Sequence, residues 1–321
     1  MSIRTLTELF LIAAGHGKPD CLLHKVGGTF QPISTAEVVD RVQRLAKALR
    51  ELGVARGDRV ALMADNGPHW PVVDFATLCM GGVLVPIYPT LLPEGAAYIV
   101  NDSGAKVLFV QGEARMQSLV ALKSEMPNLQ HVVRVDGAAG VEGLTTLEAL
   151  LARGAGVAAA AFEAEAKKAQ PDDLATFIYT SGTTGNPKGV MLSHGNIASN
   201  VSDGLECIAI LPEYTALSFL PLSHSFERTV DYIYFCRGAT IAYAESVATV
   251  PQNLTEVRPH VFVSVPRVYE KFQSRVLDNV AQAPAWRQRL FQWALALGRE
   301  ALPWRLKRQR PPGLLGVKLA V

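Results

Sequence analysis

The spacing of apolar residues predicts an amphipathic helix near the start of the chain. Ser34 and Glu37 stand three residues apart, the spacing of a capping box that satisfies backbone N–H groups at a helix start. Apolar positions then recur at helical spacing until Gly53 interrupts the pattern. These positions are Val38, Val42, Leu45, Leu49 and Leu52. We therefore predict a helix that opens after Ser34 and ends at Gly53.

Short apolar runs alternate with further helical segments as far as residue 151. The predicted strands are 60–63, 83–87, 106–110 and 131–135. The predicted helices are 70–80, a segment opened by Pro93, and 145–151. Strands separated by helical crossovers are typical of a parallel, doubly wound sheet, so an α/β fold is predicted.

The segment 152–170 is rich in alanine and has little periodicity, which predicts a surface connection between two lobes. The first lobe would span 1–170 and the second 171–321. Residues 154–159 match the dinucleotide pattern G-x-G-x-x-A, but a predicted helix precedes them where that motif requires a strand. We interpret this match as fortuitous. Alternation resumes after Asp173, with strands predicted at 175–179, 189–192, 217–220, 240–243 and 261–265.

Composition excludes several classes of protein. The chain has 321 residues, of which 49% are apolar, and its 31 Lys and Arg against 29 Asp and Glu leave a net charge of +2. So small a charge provides no general attraction to nucleic acid, and none is predicted as a partner. The four cysteines are far apart, which argues against a disulfide framework or a thiolate zinc site, and no resident metal site is predicted. Without a signal sequence or a long apolar stretch, the chain is expected to be cytoplasmic.

The candidate chemistry lies in residues 179–189, YTSGTTGNPKG. An apolar run ends at Tyr179, and small or hydroxyl residues follow it up to Pro187 and Lys188. Glycines allow a backbone to approach a ligand closely, hydroxyls donate hydrogen bonds, and one lysine adds a mobile positive charge. Backbone amides and a cation around a concave loop suit a polyphosphate.

Two other interpretations of this loop are weaker. A flexible Gly/Ser/Thr linker seldom lies between two apolar strands, and Pro187 stiffens this one. A Walker A loop would need glycine immediately before the lysine, where Pro187 stands.

Residues 179–196, YTSGTTGNPKGVMLSHGN, resemble the phosphate-loop motif of the adenylate-forming enzymes. Residues 57–89 are similar to the N-terminal core of that family, and 221–228 (PLSHSFER) with 258–272 resemble its long-chain fatty acyl-CoA synthetase branch. The resemblance covers nearly the whole chain. It implies the large N-terminal domain of that family, incomplete here, with stacked parallel and mixed sheets flanked by helices.

The resemblance also implies a two-step reaction that uses ATP, Mg²⁺ and coenzyme A. A fatty carboxylate would attack the α-phosphate of ATP, and coenzyme A would then displace AMP from the acyl-adenylate. Residues that would bind the nucleotide are Thr180, Ser181, Gly182, Thr183, Thr184, Gly185 and Lys188. Among these, Thr184 and Lys188 would act in catalysis, together with His224.

The resemblance implies three residues on the substrate side of the site. His224 matches the family position near the carboxylate and the α-phosphate; the alternative is a histidine that only packs in the core. Arg267 and Tyr269 match a region that borders the acyl tunnel, and the alternative is an arginine that pairs with a nearby acid.

Several family segments have no match in these 321 residues. They are the Tyr-Gly-x-Thr-Glu segment that holds Mg²⁺, the aspartate that binds the ribose, the hinge and the small C-terminal domain with its catalytic lysine. We expect the chain to be the N-terminal part of a longer synthetase, and to be impaired or inactive alone.

The segment 286–310 combines seven basic residues with one acidic residue and three tryptophans. Trp286, Leu290, Trp293 and Leu297 share one face of a predicted helix. Such a helix suits peripheral contact with the inner face of a membrane; the alternative is a helix that covers a core completed by other residues.

Two alternatives to fatty acid activation also remain: a ligase for another carboxylic acid or for acyl carrier protein, and a nucleotide-binding fragment without turnover. The oligomeric state is not predicted.

Overall fold

The computed structural model describes residues 2–137, 145–180, 186–307 and 309–312. Contacts divide the chain into two compact units, 1–263 and 264–321. The predicted boundary at residue 170 does not coincide with this division. Strands from both sides of residue 170 share each of the two sheets described below.

Strands in the described residues belong to the first unit. In chain order they are β1 Leu22–Val26, β2 Thr29–Ile33, β3 Arg59–Met63, β4 Val83–Ile87, β5 Val107–Val110, β6 His131–Arg134, β7 Thr145–Thr146, β8 Leu174–Thr180, β9 Lys188–Ser193, β10 Thr215–Ser218, β11 Thr240–Tyr243 and β12 Val261–Phe262.

Seven of these strands form a sheet with the order β7-β6-β5-β3-β4-β8-β9. All neighbours in it are parallel except β8 and β9, which are antiparallel. The predicted doubly wound sheet is therefore confirmed, with an antiparallel strand at one edge. A second, five-stranded sheet has the order β12-β10-β11-β1-β2. It is also mixed, because β1 and β2 are antiparallel and its other neighbours are parallel.

Helices connect and flank the strands. They are α1 Leu6–Ala14, α2 Thr35–Glu51, α3 His69–Cys79, α4 Pro93–Ser103, α5 Glu113–Ala121, α6 Leu147–Arg153, α7 Ala159–Ala166, α8 His194–Cys207, α9 Ser225–Arg237, α10 Val250–Val257, α11 Pro266–Ala281 and α12 Ala285–Leu306. The predicted cap of α2 is present, because the Ser34 hydroxyl accepts a hydrogen bond from the Glu37 amide. The apolar face of α2 is buried, as the spacing of its residues predicted.

Helix α3 lies at the centre of the first unit. Its residues from Trp70 to Cys79 are all buried, including the one carboxylate, Asp74. Phe75 packs against Phe10 of α1 and against Tyr232 and Phe235 of α9, with ring centroids 4.8, 5.7 and 5.4 Å away. Helix α3 thereby joins α9 to the rest of the core.

The segment 152–170, which we predicted to be a surface connection, is mostly exposed and includes a helix. It contains α7, whose Phe162 and Ala166 are buried in the core. Helix α6 precedes Gly154, so the G-x-G-x-x-A match lacks the strand that a dinucleotide site requires, as we predicted. A Cβ on Gly154 would lie within 3 Å of the Arg44 backbone, so this glycine serves close packing against α2.

Candidate functional site

Two paired strands flank the predicted phosphate loop. Strands β8 and β9 pair in antiparallel register, with Thr180 opposite Lys188 and Tyr179 opposite Gly189. These pairs place Thr180 and Lys188 at the two ends of the connection. The predicted residues Ser181, Gly182, Thr183, Thr184 and Gly185 lie outside the described residues. Lys188 is exposed, and it enters no ion pair among the described residues.

The base of the hairpin is fixed by Tyr179. Its hydroxyl donates a hydrogen bond of 2.6 Å to Oδ2 of Asp102, at the end of α4. Its ring lies over Gly189, where an added Cβ would be only 2.9 Å from the Tyr179 Cζ. Glycine is therefore required at 189 for space, and an aromatic side chain covers the gap.

The end of β8 lies at the carboxyl edge of the parallel strands. Strand β8 runs parallel to β4, and β4 runs parallel to β3, so the end of β8 shares an edge with the ends of both strands. In open α/β sheets, ligands bind outside the carboxyl ends of the strands. The position of this strand end, at which the predicted loop begins, thus agrees with a binding role.

His224 immediately precedes α9 and caps it. The Phe226 amide donates to Nδ1 of His224 at 3.1 Å. In a neutral ring, an accepting Nδ1 leaves the proton on Nε2, so Nε2–H is the free donor. The side chain is exposed, which argues against the alternative of a core packing residue.

Arg228, one turn into α9, ties this helix to the loop-bearing strand. Its guanidinium donates to both carboxylate oxygens of Asp74, at 3.0 and 2.5 Å, and to the Thr176 hydroxyl of β8 at 2.8 Å. Thr176 in turn donates to the Leu84 carbonyl of β4. Both charged side chains are only 3% exposed, so the pair is desolvated and its geometry tightly held.

A second pair of charged residues on α9 is also buried. Oε1 of Glu227 accepts from the Ser218 hydroxyl and from the Phe219 amide, both at 3.1 Å. Asp231 lies one turn further along α9 and accepts from the Tyr243 hydroxyl. Burial, together with the neighbouring Asp231 carboxyl, raises the pKa of Glu227, and burial likewise raises the pKa of Asp231. At neutral pH the pair therefore retains protons that exposed carboxyls would lose.

A cleft of about 580 Å³ adjoins the first turn of α9. Leu192 of β9 lines it on one side, Asn196 and Asn200 of α8 line another, and Phe226 and Thr229 of α9 complete it. The cleft thus lies between β9 and the first turn of α9 and has polar and apolar walls, but neither Lys188 nor His224 is among the residues that line it.

The other two predicted substrate residues belong to the second unit. Arg267 and Tyr269 lie in the first turn of α11, and both are exposed. Within the described residues Arg267 makes no ion pair, so the alternative of a structural pairing is not observed.

Sequence reasoning did not predict the roles of Asp74 and Asp102. Asp74 carried a signal, because it is the one charged residue in the apolar run 70–80 and a buried acid requires a partner. Asp102 carried none, since it is exposed at a helix end and meets Tyr179 only in the folded chain.

No helix among the described residues is long and apolar enough to cross a bilayer. Those residues also contain no group of three His, Cys, Asp or Glu side chains that could hold a metal ion.

Comparison with known proteins agrees with this architecture. The family model for AMP-binding enzymes matches residues 13–309. The long-chain-fatty-acid–CoA ligase FadD15 of Mycobacterium tuberculosis is 32% identical over 269 residues, 83% of this chain and 44% of the ligase. The long-chain-fatty-acid–CoA ligase ACSBG1 of Rattus norvegicus is 32% identical over 304 residues, 91% of this chain and 42% of the ligase.

Solved structures show the same fold. A long-chain-fatty-acid–CoA ligase from Archaeoglobus fulgidus has a TM-score of 0.71 at 19% identity, covering 88% of this chain and 55% of the ligase. The adenylation domain of a carboxylate reductase from Mycobacterium chelonae has a TM-score of 0.75 at 23% identity, covering 88% of this chain and 49% of that one. The chain spans less than half the length of the curated ligases that it matches. With the family model matching nearly all of its residues, the chain belongs to the AMP-binding enzyme family.

Proposed function

We propose that this chain takes part in the ATP-dependent activation of a long-chain fatty acid to acyl-adenylate and then to acyl-CoA. One observation carries the proposal. The β8–β9 hairpin sets Lys188 opposite Thr180 at the two ends of a glycine- and hydroxyl-rich connection, at the carboxyl edge of a parallel sheet. A polyphosphate is the ligand that this combination suits.

The first step forms a bond between a fatty carboxylate oxygen and the α-phosphorus of ATP. The bond from that phosphorus to the bridging oxygen breaks, and pyrophosphate leaves with the electron pair. Negative charge grows on the leaving group, so a cation and preorganised N–H and O–H donors accelerate the step. In our proposal Lys188 supplies the cation, while Thr180, Ser181, Gly182, Thr183, Thr184 and Gly185 supply donors.

His224 would act at the other end of the reacting group. Its Nδ1 is engaged by the Phe226 amide, so its Nε2–H is available to donate to a carboxylate or α-phosphate oxygen. In the second step, the thiol of coenzyme A loses its proton to solvent and its sulfur attacks the acyl carbon, and AMP leaves as the carbon–oxygen bond breaks. Arg267 and Tyr269 would border the acyl chain.

Mg²⁺ would offset the negative charge of the ATP phosphates. The glutamate that would hold it, by the resemblance, belongs to the Tyr-Gly-x-Thr-Glu segment, which has no match in these 321 residues. We favour a long-chain fatty acid as the substrate because the curated relatives at about 32% identity are named long-chain-fatty-acid–CoA ligases. We place the activity in the cytoplasm, with α12 as a surface that contacts the inner face of the membrane.

The decisive experiment is ATP–pyrophosphate exchange with a panel of acids, measured on this chain and on a longer form that carries the family segments for which these 321 residues have no match. Exchange that depends on a long-chain fatty acid supports the proposal. Exchange with an aromatic or amino acid instead would favour a ligase for another carboxylic acid. Binding of ATP by calorimetry, without exchange for any acid, would identify a nucleotide-binding fragment without turnover.

A further inference from the structure

The backbone just before His224 is held by a side chain from the other sheet. Asn66 follows β3 in the seven-stranded sheet, whereas residues 219–224 follow β10 in the five-stranded sheet. Nδ2 of Asn66 donates to the Leu220 carbonyl at 2.8 Å, and its Oδ1 accepts from the Leu222 amide at 3.1 Å. The Asn66 side-chain amide thus pairs with the Leu220 carbonyl before Pro221 and with the Leu222 N–H after it. These are the two kinds of backbone group that a neighbouring strand would pair with in a sheet.

This two-point contact continues directly into the cap of α9. The His224 amide donates to the Pro221 carbonyl at 2.9 Å and closes a turn. The His224 ring then accepts from Phe226, which fixes the side chain. Glu227 holds the start of the same segment through the Phe219 amide. The orientation of His224 is therefore determined by hydrogen bonds at both ends of residues 219–224.

We propose that Asn66 is a positioning residue, which orients His224 by clamping the backbone around Pro221. Its relevance to catalysis rests on the proposed function, in which His224 donates to the reacting oxygens. The contact requires one donor and one acceptor on adjacent atoms, which an amide provides and an ionised carboxylate does not.

Amide hydrogen exchange by NMR tests the proposal without relying on activity. In Asn66→Ala, we expect the Leu222 and Phe226 amides to lose protection by about tenfold, the size of one net hydrogen bond, while amides inside α3 keep theirs. Ser34→Ala is the control, because it removes one capping hydrogen bond at a remote helix. It should leave residues 220–226 unchanged.

Asn66→Asp provides a readout that a general loss of stability would not produce. At pH 7 the new carboxylate faces the Leu220 carbonyl and cannot donate, so protection of both amides should fall. At a pH low enough to protonate it, the carboxyl donates to Leu220 and accepts from Leu222, so protection of the Leu222 amide relative to wild type at the same pH should recover.

Two outcomes would overturn the positioning role of Asn66. One is loss of protection at Leu222 with an unchanged Phe226, and the other is an Asn66→Asp protection profile that stays flat with pH. Absence of fatty-acid-dependent ATP–pyrophosphate exchange in wild type would count against the proposed function alone, since the amide measurements do not depend on it.

Discussion

The Tyr179 ring and the Gly189 backbone occupy adjoining space across the β8–β9 pair, with room for no side chain at 189. A Cβ there would lie 2.9, 3.1 and 3.2 Å from Cζ, Cε2 and the hydroxyl oxygen of Tyr179. The same hydroxyl is anchored on Asp102. The ring therefore cannot move aside without losing that hydrogen bond, and the hairpin that carries the phosphate loop is held at its base.

Gly189→Ala should destabilise the chain and weaken ATP binding. The added methyl group overpacks against a tethered ring, and such changes cost about 1–3 kcal/mol. Thermal unfolding and calorimetric titration with ATP measure the two effects. Gly298→Ala is the matched control, because a Cβ there meets nothing within 4 Å. In the presence of Tyr179→Ala, the added methyl group meets no ring, so Gly189→Ala should then cost little stability. If Gly189→Ala destabilises the Tyr179→Ala variant as much as it destabilises wild type, the ring is not the cause of the loss.

Lys188→Ala in a form with measurable exchange should lower adenylation by about 10²–10³, as expected for the loss of one preorganised donor at developing charge. Lys188 is exposed and forms no ion pair among the described residues, so the stability of the fold should not change. Lys123→Ala removes another lysine far from the hairpin in sequence and serves as the control. An exchange rate equal to that of wild type would contradict the assignment of Lys188.

Local patterns predicted most of the fold. The capping pair and apolar spacing of α2 specify that helix, and continuous apolar runs mark the buried parallel strands β3 to β6. Helix α7 was missed because its polar and apolar residues show no helical periodicity, and only Phe162 and Ala166 are buried. Residues of that kind take their structure from packing against neighbours rather than from their own pattern.

The pairing of the strands was harder to predict than their positions. Strands β1 and β2 turn at Gly27 and Gly28, both at positive φ, and this two-glycine signal marks a hairpin that we did not predict. Their membership in the same sheet as β10 and β11 depends on contacts some 200 residues apart, which no local pattern encodes. The site shows the same division: the loop motif identified Lys188 and Thr180, whereas Asn66 acts through a contact 154 residues away.

The buried pair of Asp74 and Arg228 should be sensitive to the loss of either charge. Asp74→Asn leaves a buried guanidinium without its carboxylate, and breaking such a pair costs about 3–5 kcal/mol. We expect the double variant Asp74→Leu, Arg228→Met to be more stable than Asp74→Asn, because it leaves no uncompensated charge. Urea unfolding of the three proteins decides the point. A double variant no more stable than Asp74→Asn would show that the uncompensated charge is not the cause of the loss.

Stability should fall as the pH rises through neutrality, because of Glu227 and Asp231. Their raised pKa values mean that the folded state binds more protons than the unfolded state between about pH 5 and pH 8. The free energy of unfolding then decreases with pH, by at most about 1.4 kcal/mol per pH unit for each proton.

Glu227→Gln removes one of these titrations and should flatten the profile of unfolding free energy against pH. Glu206→Gln, at an exposed glutamate, should leave it unchanged. Equal slopes for Glu227→Gln and wild type would exclude the pair as the source.

Helix α12 should bind anionic vesicles in a manner that depends on salt. Trp286, Leu290 and Trp293 are 62, 53 and 51% exposed on one face, within a segment that carries seven basic residues and one acidic residue. Each basic residue near an anionic surface contributes about 1 kcal/mol, so removing Arg287 and Arg289 together should weaken binding roughly thirty-fold. High salt should have a similar effect, since the Debye length falls to about 3 Å at 1 M. Co-sedimentation with anionic and with zwitterionic vesicles, at low and high salt, measures this. Binding that ignores both salt and lipid charge would instead favour a helix whose apolar face belongs to a protein core, because only the tryptophans and leucines would then contribute.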